Sequence, residues 1–291
     1  GAEVIKVEAP GRGDEFRYYP PMLPGAPDQG APYAWANRNK RSVAIDLKSE
    51  AGRDAVLALV DAADVVVENY STGVMERLGL GAATCRARNP RLVYCSVSAY
   101  GREGAHADRL GFDPIAQAES GFMSMNGYPD REGVRALPTV MDNTSAMMAA
   151  NAILAALFAR THTGCGQRVE VAMFDTAILM TGYTAMQHLV SGVEPRRSGN
   201  ISPDTCPSGV FHCEDRAFYI NCGNSRIYER LVTQVLDAPE LMADPQLADR
   251  NGRLQRRAEL EERIEAMFQR RPWAHWQPLL RAAAIPFAPL R

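Results

Sequence analysis

The chain has 291 residues, 46% of them hydrophobic and 23% charged, with a formal net charge of -2. That balance excludes a disordered chain and a nucleic-acid-coating protein, and the length suits one large α/β domain plus a smaller one. A small polyanionic ligand stays compatible with near-neutrality, because a few placed cations are enough to hold it.

Gly1-Ala2-Glu3-Val4-Ile5-Lys6-Val7-Glu8 runs directly into an alternating strand at Val4 to Val7, with no initiator Met and no charged-then-apolar leader. The expectation is a chain cut inside a fold, its N-terminal strand missing. Short β-branched runs recur at Ser42 to Ile45, Asp64 to Val67 and Leu92 to Val97. Between the second and third of these strands, Ser49 is placed as an N-cap, and Ala55, Val56, Leu59 and Val60 repeat on one helical face. Strand, helix, strand at this spacing predicts βαβ units and a mostly parallel sheet.

A long helix is predicted from Asn143 to Arg160, stopped by Thr163-Gly164-Cys165-Gly166. Its apolar part, Met147 to Phe158, is too short for the roughly 20 residues of a membrane span and reads as a core helix. A strand at Gln167 to Ala172 and a helical run from Asp175 follow, which closes a large domain over residues 1 to 188. The stretch with Pro195, Gly199, Pro203 and Pro207 reads as a connection over residues 189 to 207. Residues 208 to 291 then carry strands at Gly209 to His212 and Ala217 to Asn221, and helices at Arg230 to Leu236 and Arg257 to Phe268, a small α+β domain. The end, Ala284 to Arg291, is a Pro-rich turn with no closing element, again as expected of a cut chain.

The six cysteines, at 85, 95, 165, 206, 213 and 222, show no disulfide framework, which predicts a reducing, cytoplasmic compartment. Cys206, His212, Cys213 and Cys222 lack the tight spacing of a zinc site, so no metal is expected. Gly79-Leu80-Gly81 has Thr84 where a dinucleotide fingerprint needs its third glycine. Asp142, followed by Asn143 and Thr144, stands just before the long helix. As an ordinary N-cap it would accept amide hydrogen bonds from the first turn. The same position would also favour its ionised form at the ligand-binding edge of a sheet, as a nucleophilic carboxylate requires. Pattern alone leaves both readings open.

Several segments, taken as wholes, resemble the family III CoA transferases. They include Gly1 to Glu8; Asn37-Arg38-Asn39-Lys40-Arg41-Ser42-Val43-Ala44-Ile45-Asp46-Leu47-Lys48; Asp64-Val65-Val66-Val67-Glu68-Asn69-Tyr70; and Gly73-Val74-Met75-Glu76-Arg77-Leu78-Gly79. Asn89 to Tyr94, Gly111-Phe112-Asp113, Gln117 to Gly121, Asp142 with its helix, and Thr163 to Val169 continue the match in order. The resemblance implies a Rossmann-like large α/β domain with a smaller α+β domain, in an interlocked homodimer. It implies an enzyme that moves CoA from an acyl-CoA donor to a carboxylic acid, with CoA as substrate, no permanent cofactor, and no nucleic-acid or membrane partner. Asp142 falls on the nucleophile, and Ile45, Lys48, Asn69, Tyr70, Val74 and Arg77 fall on positions lining the CoA channel.

Departures from the family pattern qualify the substrate. Ala9 and Pro10 replace a cation that holds the adenosine phosphates, leaving Arg12 or Arg17 as substitutes, and Met141 adds bulk before the nucleophile. The stretch Ser198 to Pro203 has one glycine where oxalate-type members have a run, which implies another acceptor. Related α-methylacyl-CoA racemases need a second acid/base group where this chain has Phe112, which cannot move a proton; His106 is the nearby alternative. A racemase and a non-catalytic CoA-binding relative are the competing readings.

Overall fold

A computed structural model describes residues 1–291. The chain divides into two compact units, one of residues 1–123 and 135–191, the other of residues 124–134 and 192–291.

In the first unit, strand β1 (Val4–Glu8) pairs in parallel with β2 (Lys40–Ala44), Val4 opposite Lys40 and Glu8 opposite Ala44. A separate three-stranded parallel sheet has the order β3 (Val65–Glu68), β4 (Val93–Ser98), β5 (Arg168–Ala172). The parallel pairing matches the expectation, but the strands form two sheets rather than one. The second strand begins earlier than the β-branched run suggests, because Lys40 and Arg41 join the ladder despite their polarity.

Strand β4 is almost continuously buried, as a strand covered on both faces must be. On one face, Tyr94 and Leu92 pack with Val60 and Cys85; Val60 lies on helix α1 (Glu50–Ala62). Ser49 caps that helix as anticipated, its hydroxyl accepting from Gly52 N–H at 3.0 Å. The opposite face sets Cys95 and Val171 against Ala149 on the long central helix. That helix runs Val140–Thr163, three residues longer at each end than its apolar pattern indicates. It stops at Gly164, which adopts the left-handed conformation with φ 73° that a side chain disfavours. No helix is long and apolar enough to cross a membrane.

The second unit holds an antiparallel sheet in which Ser208–His212 pairs with Ala217–Asn221, and the latter with Phe287–Pro289. Its core is aromatic. Phe218 meets Phe268 edge-on at 4.9 Å, and Phe268 meets Trp276 edge-on at 5.1 Å. The helix anticipated at Arg230 to Leu236 instead starts at Ser225, where Asn224 caps it, and its end widens into a π turn over Leu231–Val235. Arg253, 1% exposed, lies inside this unit. All six cysteines are free thiols, and burial pushes those of Cys206 and Cys222 up to about 12.

Candidate active site

The central helix begins at Val140, so Asp142 is its third residue rather than its cap, and Thr139 before it makes no side-chain cap. The capping reading of Asp142 is therefore corrected. The cap comes from Asp113, the first residue of helix α2 (Asp113–Glu119). Its Oδ2 accepts the Met141 N–H at 2.7 Å and the Asp142 N–H at a long 3.4 Å, while Oδ1 accepts from Gln117 Nε2 at 2.5 Å. Gln117 in turn binds the backbone that leads into the helix, its Oε1 accepting the Ala136 N–H at 2.8 Å. Asp113 and Gln117 are both buried.

The Asp142 carboxylate is left at the surface and accepts no hydrogen bond from the protein. Protein packed around it raises its pKa, and the neighbouring Asp113 charge raises it further. This reverses the expectation that the helix terminus would favour ionisation, because Asp113 already occupies the terminal amides. Met141 is buried against Ala116 and Ala177. Its bulk therefore sits beneath the helix rather than beside the Asp142 carboxylate. One turn after Asp142, the buried Ser145 hydroxyl has no partner.

The six positions expected to line a CoA channel lie just beyond the carboxyl ends of parallel strands, the edge at which such sheets bind ligands. Ile45 follows β2, its N–H bonded to Glu8 O at 2.9 Å, and Lys48 is exposed in the next turn. Asn69 and Tyr70 follow β3. Val74 and Arg77 bound a short helix, with the Arg77 guanidinium folded over Gly73, where an added Cβ would stand 2.8 Å from it. Asn69 and Tyr70 line one pocket with Thr72, Ser98, Asp108 and Gly111, whereas Ile45, Lys48, Val74, Arg77 and Asp142 are outside it.

The Asn69-Tyr70 turn is set by residues that motif reading quoted without a role. Glu68 is buried, receives the Tyr70 N–H at 2.9 Å, and pairs with Arg102 at 2.9 Å. Of the two substitute cations, Arg17 is already committed. Its fork holds Glu8 at 2.8 and 2.9 Å and its guanidinium stacks on Tyr33 at 4.1 Å. Arg17, helped by Ser42 and Tyr33, holds the Glu8 carboxyl well below the usual carboxylate range. Arg12 stays at the surface, 3.0 Å from Glu15. Phe112 precedes the Asp113 helix with an exposed ring, and His106 packs 6.0 Å from the Tyr100 ring.

The model of "CoA-transferase family III" matches residues 1–291. The chain belongs to this family. It is 36% identical to an acetyl-CoA:oxalate CoA-transferase of Acetobacter aceti over 100% of its length and 74% of the relative's. It is 33% identical to a succinyl-CoA:glutarate CoA-transferase of Mus musculus, covering 100% of this chain and 66% of that one. A crystal structure of a CaiB/BaiF family protein from Brucella suis superposes with a TM-score of 0.87 at 34% identity, over 100% of this chain and 77% of that one. The family III chain thus has a mixed α/β fold shared with solved members, and it spans 66 to 77% of the length of these relatives.

Proposed function

We propose that the chain transfers CoA from an acyl-CoA to a carboxylic acid, with Asp142 as the covalent carrier. An Asp142 oxygen attacks the thioester carbonyl, the C–S bond breaks, and CoA leaves as thiolate, giving an aspartyl acyl anhydride. The thiolate attacks Cγ of Asp142 and expels the donor carboxylate, leaving aspartyl-CoA. An acceptor carboxylate attacks that Cγ and releases the thiolate, which then takes the acceptor acyl group and frees Asp142. Covalent capture conserves the thioester free energy that hydrolysis would dissipate. The observation carrying this reading is a carboxylate on the first turn of the central helix, unbonded and surface-facing, whose capping work Asp113 performs instead.

In this reading Ile45, Lys48, Asn69, Tyr70, Val74 and Arg77 line the CoA path, Lys48 and Arg77 serving phosphate oxygens. The named relatives use acetyl-CoA with oxalate and succinyl-CoA with glutarate, so a short dicarboxylic acid is the acceptor class we assign. Incubation with acyl-CoA, followed by borohydride or hydroxylamine and peptide mass spectrometry, is expected to place the modification on Asp142. CoA exchange that proceeds with Asp142 unmodified would exclude the carrier role.

A homodimer belongs to the same proposal. Ser145, Ala149 and Ala156 form the buried face of the central helix, while Met147, Leu154 and Phe158 form an exposed apolar stripe on the opposite side. A helix apolar on both sides is buried on both in its working assembly. Light scattering is expected to give the mass of two chains, and a monomer at micromolar concentration would count against it.

A further inference from the structure

We infer that Asp113 is a positioning residue that keeps Asp142 reactive, by taking the amides of the helix terminus for itself and standing as a fixed charge beneath the nucleophile. The inference rests on Asp142 being the carrier. Its geometry is specific. The first N–H groups of a helix have no partner within the helix, and a carboxylate in the first turn is a natural acceptor for them. Here the Met141 N–H lies 2.7 Å from Asp113 Oδ2 and the Asp142 N–H points to the same oxygen. Donors that would quench the Asp142 carboxylate are thereby diverted to a residue 28 and 29 positions earlier in the chain. Gln117 fixes the other Asp113 oxygen and is itself tied to Ala136, so the second carboxylate cannot swing away.

The chemical consequence follows from where charge goes. In forming the anhydride, Asp142 changes from an anion to a neutral acyl group, and its charge departs with the CoA thiolate. Repulsion from Asp113 is present in the resting state and relieved in every acylated state. A buried, immobile anion under the nucleophile therefore favours each step that loads Asp142, as preorganised electrostatics do. Other ionisable groups on the surrounding elements are Glu119 on the Asp113 helix, Asp175 on the helix Met173–Met180, Tyr94 and Cys95 on β4, and Arg168 and Glu170 on β5. Beside the desolvation that protein packing imposes, the neighbouring Asp113 charge raises the Asp142 pKa.

The test is Asp113→Asn beside Asp113→Glu in the full chain, following kcat against pH. The Asn variant keeps an acceptor for the helix and removes the charge. We expect its kcat to fall roughly tenfold, the lower end of what losing an outer-shell partner costs at metal sites. Its acid limb is expected to move to lower pH, with KM for acyl-CoA little changed and the acid limb restored in the Glu variant. An equal loss in both variants with the acid limb unmoved would reduce Asp113 to a structural cap and overturn the inference. Carboxyl NMR titration of the wild-type chain covers the case in which Asp113→Asn fails to fold. Asp142 titrating at or below the ordinary aspartate value would also overturn it. Retention of transfer by Asp142→Asn would sink the carrier reading instead, leaving the NMR result to stand or fall separately.

Discussion

Asp142→Asn is expected to abolish CoA transfer, by about 10⁴-fold or more, since an amide cannot form the anhydride on which every later step depends. The same substitution is expected to stabilise the fold at neutral pH. Protein packed around the surface-facing carboxylate, and then the Asp113 charge, raise the pKa of Asp142 in the folded chain. A raised carboxyl pKa contributes stability that is present below the unfolded value and lost as pH rises through the folded one. At neutral pH the ionised Asp142 therefore weakens the fold, and a neutral isostere removes that penalty. Thermal unfolding should show a higher Tm for the Asn variant at pH 7 and a smaller difference in acid. Undiminished transfer would contradict the carrier role, and a Tm at pH 7 no higher than wild type would contradict the paired carboxylates.

Arg253→Met is expected to destabilise the second unit by about 3 kcal/mol, because it strands the buried Cys206 and Leu247 carbonyls and removes two partly buried bonds. The guanidinium donates to Cys206 O at 2.9 Å, Leu247 O at 3.0 Å, Ala248 O at 2.8 Å and Ser225 Oγ at 3.1 Å. It also stacks 4.4 Å from the Tyr228 ring centroid. No carboxylate is bonded to it, so the charge is stabilised by carbonyl dipoles and an aromatic face. Burial accordingly lowers the Arg253 pKa. Arg253→Lys should recover little, since one ammonium cannot span four separated acceptors. Urea unfolding followed by the fluorescence of Trp273 and Trp276, both in this unit, reads the effect directly. An unchanged midpoint in the Met variant would show that the acceptors find water instead.

Where elements depend on neighbours in sequence, they were legible. Ser49 caps its helix, Gly164 stops the long one, and the valines of β3 and β4 mark a sheet. Each depends on backbone preference or on a hydroxyl a few residues away, and such signals are written locally. The helix widened beyond its apolar core because its first residues take their support from α2, which periodicity does not report. Arg253 was illegible for a related reason. An arginine in a polar stretch reads as solvated, and only packing reveals that it bonds to residues 47 positions away. Asp113 and Gln117 carried one usable signal, a carboxylate and an amide four residues apart on one helical face.

By itself the sequence determined the main parallel strands, the long helix and membership of a CoA-transferase family, and it put an aspartate at the start of that helix. Only the tertiary structure decided what kind of carboxylate that aspartate is. Helix position argued for a stabilised, capping anion. Folding placed a second, buried carboxylate on the helix terminus, and Asp142 became unbonded, surface-facing and harder to ionise. Charge interactions act through space, and they are strong where protein displaces water, so an environment assembled across 29 positions of chain outweighs the preference of one turn.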